Sequence, residues 1–156
     1  MKDVLQARWF APLSALLLAV LVFWAYLPGL EGGYVFDDLP NIVHNSELHV
    51  HTLQFDDWLA AIFSSPASRL ARPLSMLTFA INHYFTGLDP RAMKWTNITL
   101  HACNAVLVLG LVLALLRVAP EGGWSERRAR WCALFVAMAW ALQPINLMAV
   151  LFVVQR

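Results

Sequence analysis

The sequence predicts an all-α integral membrane protein with three transmembrane helices and a long outer loop containing amphipathic interfacial helices. Three observations carry that expectation. The 156 residues are 60% apolar and only 13% charged, against about 45–50% and about a quarter in soluble domains. Eleven Lys and Arg face ten Asp and Glu, a net charge of +1, which excludes a basic nucleic-acid binder and a disordered, highly charged chain. Residues 9–30, 95–116 and 131–155 carry no Asp, Glu, Lys or Arg. Roughly 20 apolar residues at about 1.5 Å rise cross a hydrocarbon core about 30 Å thick, and a helix satisfies its own backbone hydrogen bonds there.

Residues 1–8 precede the first span, 9–30. Lys2 and Arg8 resemble the basic start of a secretory signal, but the apolar run exceeds the roughly 7–15 residues of a signal core. No A-x-A site follows it; the exit reads WAYLPGLEGG. The segment is therefore expected to be an uncleaved anchor. The second span is 95–116 and the third 131–155, with Trp9, Trp24, Trp95, Trp124 and Trp131 near the ends as an aromatic belt.

Loop charge sets the orientation. Segment 117–130 carries Arg117, Arg127, Arg128 and Arg130 against Glu121 and Glu126, whereas 31–94 holds four basic and seven acidic residues. Positive loops stay inside. The N-terminus and 117–130 are then cytoplasmic, 31–94 lies outside the cell's inner (cytoplasmic) membrane, and the third span runs outward to Arg156. Cys103 and Cys132 fall within spans near opposite faces, too far apart to bond.

The outer segment holds every Asp except Asp3 and four of the five histidines. Glu31-Gly32-Gly33 breaks the first helix and leads to Asp37-Asp38, with a turn at Pro40 and Asn41. Adjacent acids can share a proton, bind a divalent cation, or act as base and orienter; the spacing fits a solvated acidic turn as well. Asp56-Asp57 opens a helical pattern near 53–63 and is expected to face water. His44, His49 and His51 have no i,i+4 partner on an obvious helix, which gives a zinc site little support. Arg72-Pro73 opens a helix near 73–86, ended by Gly87 and Pro90. It is too short to span and is expected to lie on the outer leaflet, with Arg69 and Arg72 near lipid phosphate.

Asn97, His101 and Asn104 lie on one face of the second span and are expected to line a cavity or to bond between helices. Pro144 is expected to kink the third span, with Gln143 or Asn146 satisfying the freed carbonyls.

The motifs GGYVFDDLPNIVHN, RPLSMLTFAINHYFTGL, NITLHACNAVL and LQPINLMAVLFVVQR occur in that order over roughly residues 27–156. Together they resemble the N-terminal part of GT-C superfamily membrane glycosyltransferases. The likeness is to the branch of transmembrane and tetratricopeptide-repeat O-mannosyltransferases, and to bacterial pilin and surface glycosyltransferases. The resemblance implies sugar transfer from a polyprenyl-phosphate-linked donor to a protein or glycan hydroxyl on the outer face of the membrane. It implies that Asp37 and Asp38 are catalytic or hold an optional divalent cation, and that Arg72 and Arg156 bind donor phosphate. The chain departs from many relatives, which read His-Pro where it has Gln143-Pro144. Superfamily members are much longer, so the chain is expected to be a fragment, inactive alone. A non-catalytic small membrane protein or inactive remnant, acting through helix or lipid contacts, is the alternative.

Overall fold

A computed structural model describes residues 2–66, 72–118 and 124–156, the side chains of 2–8 excepted. Arg69, Glu121 and the side chains of Lys2 and Arg8 therefore lie outside the described residues. Those described are helical or irregular, with no strand among them. The α-helices are α1 (Lys2–Tyr26), α2 (Phe55–Phe63), α3 (Pro73–Thr86), α4 (Pro90–Val118), α5 (Glu126–Ala141) and α6 (Asn146–Leu151). A 3-10 turn continues α1 over Leu27–Glu31, a π-turn covers Leu39–Val43, and 3-10 turns occupy Ser46–Leu48 and Val153–Gln155.

Among the described residues, two helical segments are long and apolar enough to cross a membrane, Trp9–Glu31 and Pro90–Val118. The third apolar stretch is not one continuous kinked helix over 131–155. Helix α5 stops at Ala141 after 16 residues and α6 has six, each short of the roughly 20 needed to cross. Pro144 is the cause. In a continuous helix its missing N–H would bond the Trp140 carbonyl. That carbonyl instead accepts the Asn146 side-chain amide at 2.7 Å and the Gln143 N–H at 3.3 Å. Helices α2 and α3 stand where the 53–63 and 73–86 patterns put them.

The chain divides into two compact units. One comprises Met1–Leu27 and Ile98–Leu147. Its contacts use Leu18 and Val22 of α1, Ala102, Ala105 and Leu109 of α4, and Ala129, Ala133, Ala137 and Ala141 of α5, all buried. The four alanines recur every fourth residue on one helical face, where small side chains let backbones approach. Leu13, Leu16, Leu107, Leu111, Leu115 and Phe135 point outward, as lipid-facing residues do.

The other unit comprises Pro28–Asn97 and Met148–Arg156. Ile42, Leu48, Val50, Ala61, Met76, Phe79, Ala80, Met93, Val153 and Val154 form its core, with Tyr34, Trp58 and Tyr84 against them. Gly87 ends α3 at φ +64°, a left-handed conformation that glycine adopts without a Cβ penalty.

Candidate functional site

The acidic pair sits on a turn held from three sides. Lys94, in the second turn of α4, donates to the carbonyls of Gly29 at 3.0 Å and Gly32 at 2.6 Å. A Cβ on Gly32 would stand 2.8 Å from Lys94 Nζ, so glycine keeps that approach open. The chain then turns, with the Asp38 N–H on Val35 O at 3.0 Å and the Leu39 N–H on Phe36 O at 3.2 Å. Phe36 adopts φ +46°, a region that L residues seldom occupy and that costs of order 1–3 kcal/mol.

The turn separates the two acids. Asp38 is fully buried at 0% exposure, whereas Asp37 is exposed. Asp38 Oδ2 accepts the Val35 N–H at 3.1 Å and Oδ1 accepts the Val154 N–H at 2.8 Å. Both carboxylate oxygens therefore serve backbone amides. With these two bonds Asp38 fixes the turn on which Asp37 stands. Of the pair, Asp37 alone presents an exposed carboxylate. Among the described residues no three His, Cys, Asp or Glu are placed to hold a metal ion.

Arg156, expected at donor phosphate, is likewise committed inside its unit. Its Nε donates to Asn97 Oδ1 at 2.7 Å, Nη1 to Thr78 Oγ1 at 3.0 Å and Asn82 Oδ1 at 2.8 Å, and Nη2 to the Met93 carbonyl at 2.9 Å. The guanidinium also lies over the Phe79 ring, 4.4 Å from its centroid, a cation–π arrangement. Four of the five N–H donors of an arginine are used here. Burial pulls the guanidinium down to about 10, while Tyr34 acts to raise it. Tyr34 in turn is pushed up to about 12, first by burial and then by the charges of Asp38 and Asp89, with Arg156 opposing. Its hydroxyl points to Met93 Sδ at 3.3 Å.

Arg72 opens α3 at φ +43°. One of its amino groups donates to the carbonyls of Val154 at 3.0 Å and Arg156 at 2.8 Å, and Ser75 Oγ joins the second at 2.9 Å. Asp38, Arg72 and Ser75 thus hold the backbone of the last three residues, while Thr78, Asn82 and Asn97 hold the final side chain.

The polar residues of α4 do not form one cavity wall. Asn97 is buried, and its amide shares the carbonyls of Val150, Phe152 and Val153 at 3.1–3.3 Å. His101, in the other unit, donates Nε2–H to the Ala141 carbonyl at 2.9 Å and packs edge-on against Tyr26. Asn104 is exposed. Asn97 and His101 are therefore occupied by backbone acceptors.

Sequence reasoning missed Thr78, Asn82 and Lys94. The first two are spaced i,i+4 and so share a helical face, a signal that the two polar residues have a common partner. Lys94 immediately precedes a charge-free run, where its long stem reaches polar groups past the helix end.

No family model matches the chain, and no solved structure matches it significantly. Curated proteins do. It is 29% identical to human protein O-mannosyl-transferase TMTC4 over 99% of its own length and 22% of that protein's. It is 29% identical to mouse protein O-mannosyl-transferase TMTC3 over 90% of itself and 14% of the relative. With Xenopus laevis protein O-mannosyl-transferase tmtc2 the identity is 30%, over 92% of the chain and 16% of the relative. The chain spans about a fifth or less of the length of these relatives. Over most of its own length, the chain is similar to the protein O-mannosyl-transferases, the branch its motifs resemble.

Proposed function

We propose that this chain is a portion of a membrane glycosyltransferase that moves a sugar from a polyprenyl-phosphate carrier to a protein hydroxyl on the outer face of the cytoplasmic membrane. The observation that carries the reading is the division of labour in the acidic pair: Asp38 is engaged by two backbone amides, and Asp37 stands exposed beside it. An exposed carboxylate on a rigid turn can take a proton from an acceptor hydroxyl. The hydroxyl oxygen then forms the bond to the anomeric carbon as the bond from that carbon to the phosphate oxygen breaks. The proton goes to Asp37, and the electron pair leaves with the carrier phosphate. Arg72 is the donor-phosphate candidate in this reading, with a cation positioned where leaving-group charge grows. Arg156 supports that region from inside by ordering α3.

In this scheme the N-terminus is cytoplasmic and residues 31–94 are external, with α2 and α3 on the outer leaflet. The basic residues Arg117, Arg127, Arg128 and Arg130 support that topology. A second reading, a non-catalytic membrane module, draws on the exposed Asn104 of α4, an amide suited to a hydrogen bond with a partner helix.

Photocrosslinking of a polyprenyl-phosphate analogue to the chain in nanodiscs separates the two. Specific labelling that weakens in Arg72→Ala and persists in Asp37→Ala is expected if the chain carries the donor surface. Labelling no greater than that of an unrelated membrane protein would remove the donor reading and leave the module.

A further inference from the structure

Three histidines that the sequence scatters are brought together in one cluster. His49 and His51 follow the 3-10 turn Ser46–Leu48, and His83 lies in the last turn of α3. The rings of His49 and His83 stack at 4.6 Å with 14° between planes, and His51 meets His83 edge-on at 5.1 Å. His83 is buried, as are Leu48 and Val50 of the segment that covers it.

The hydrogen bonds fix where protons already are. His49 Nε2 is 2.8 Å from the Ile42 carbonyl, and His83 Nδ1 is 3.3 Å from the Val50 carbonyl. A carbonyl only accepts, so each of those nitrogens carries hydrogen. In the neutral rings, His49 Nδ1 and His83 Nε2 are the positions left to take a proton. Acid therefore adds charge to rings whose centroids stand 4.6 Å apart, and two cations on that stacked face repel each other at close range.

The surrounding charges do not relieve this. The ionisable groups acting on His83 are His49 and His51, and both oppose its protonation; burial opposes it more, and only the Val50 carbonyl favours it. The carboxylates of the neighbouring helix α2 are placed elsewhere. Asp57 accepts the Thr52 hydroxyl, and Asp56 is exposed at the helix start.

We propose that His49, His51 and His83 form a proton-released latch that holds the 44–52 segment on α3 at neutral pH and lets it go in acid. Burial and its two ring neighbours make His83 bind a proton less readily than free histidine. The latch is therefore fully closed above the ordinary imidazole value of about 6.5 and weakens as pH falls below it. The latch is independent of any transferase activity.

Hydrogen–deuterium exchange of the full chain in nanodiscs, corrected for intrinsic rates, tests it. Amides of 44–52 are expected to lose roughly tenfold protection between about pH 7.5 and about pH 5, while mid-α4 amides hold theirs. In the combined variant His49→Phe, His51→Gln, His83→Phe the segment is expected to keep the same protection at both values. Equal protection of the unaltered chain at the two pH values would overturn the latch, and so would an undiminished acid response in the variant. Should the variant fail to fold, NMR titration of the native rings decides. The latch requires a ring titrating well below about 6.5 in step with the exchange; independent titrations near 6.5 would overturn it.

Discussion

The carboxylate of Asp38 accepts the backbone N–H of Val154 at 2.8 Å across 116 residues of chain. The interaction joins the acidic turn to the segment after the Pro144 break. The neighbour that looks identical in sequence, Asp37, takes no part in it. Two aspartates side by side thus have opposite expected responses to mutation.

Asp38→Ala strips the acceptor from two amides, those of Val35 and Val154. Buried groups left unsatisfied cost about 1–3 kcal/mol each, so a loss of about 2–5 kcal/mol is expected. Asp38→Asn keeps one acceptor oxygen and should lose less. Asp37→Ala, at an exposed position, should change stability by under about 0.5 kcal/mol. Chemical denaturation in detergent measures all three, and equal effects at the two positions would contradict the assignment.

Arg156→Ala removes a guanidinium that serves Asn97, Thr78, Asn82 and the Met93 carbonyl. Breaking such an internal network costs about 3–5 kcal/mol. Arg156→Lys should recover only a minor part, because an ammonium has three donors and no planar fork. Thermal unfolding of the two variants against the native chain reads the difference.

Gly29→Ala is expected to destabilise by about 1–3 kcal/mol. A Cβ there would lie 2.2 Å from Leu151 Cδ1, with the rest of that side-chain end within 3.0 Å. Leu151→Ala should partly rescue it, which a double-mutant comparison of unfolding midpoints would show. Additive losses would mean that the two positions do not meet.

Tyr34 holds its proton to about pH 12, against an ordinary 10.0. A folded-state value above the unfolded one stabilises below about pH 10 and loses that contribution as pH climbs through the folded value. Spectrophotometric titration should show a late-ionising phenol missing from Tyr34→Phe. The variant should also lose less stability than the native chain on raising the pH from about 10 to about 12.

Local signals were the legible ones. Arg72-Pro73 and Gly87 marked both ends of α3, and the charge-free run from Trp95 marked α4 to within a few residues, because caps, prolines and hydropathy act over one or two turns. Asn146 was read correctly as a partner for a carbonyl freed by Pro144, since both lie in the same six residues. The division of the Asp37-Asp38 pair was not legible: it depends on Val154 N–H arriving from the far end of the chain. The surroundings of Arg156 were not legible for the same reason. Its partners come from α3 and α4, and no spacing rule relates position 156 to 78, 82 and 97. The helix break within 131–155 was not legible, because composition alone does not reveal that Pro144 ends a helix instead of bending it.

The dependence of Asp38 on Val154 also sets an order of events during synthesis. A ribosome adding about 5–20 residues per second takes about 6–23 s to make the 116 residues between them. For that interval the Asp38 carboxylate has no Val154 amide, and Thr78, Asn82 and Asn97 have no guanidinium. The acidic turn can be made early, yet it acquires its final rigidity only when Val154 and Arg156 emerge. Ribosome stalling between Val118 and Val154 would therefore leave a nascent chain with its membrane-length helices complete and its acidic turn still open to chaperones and proteases.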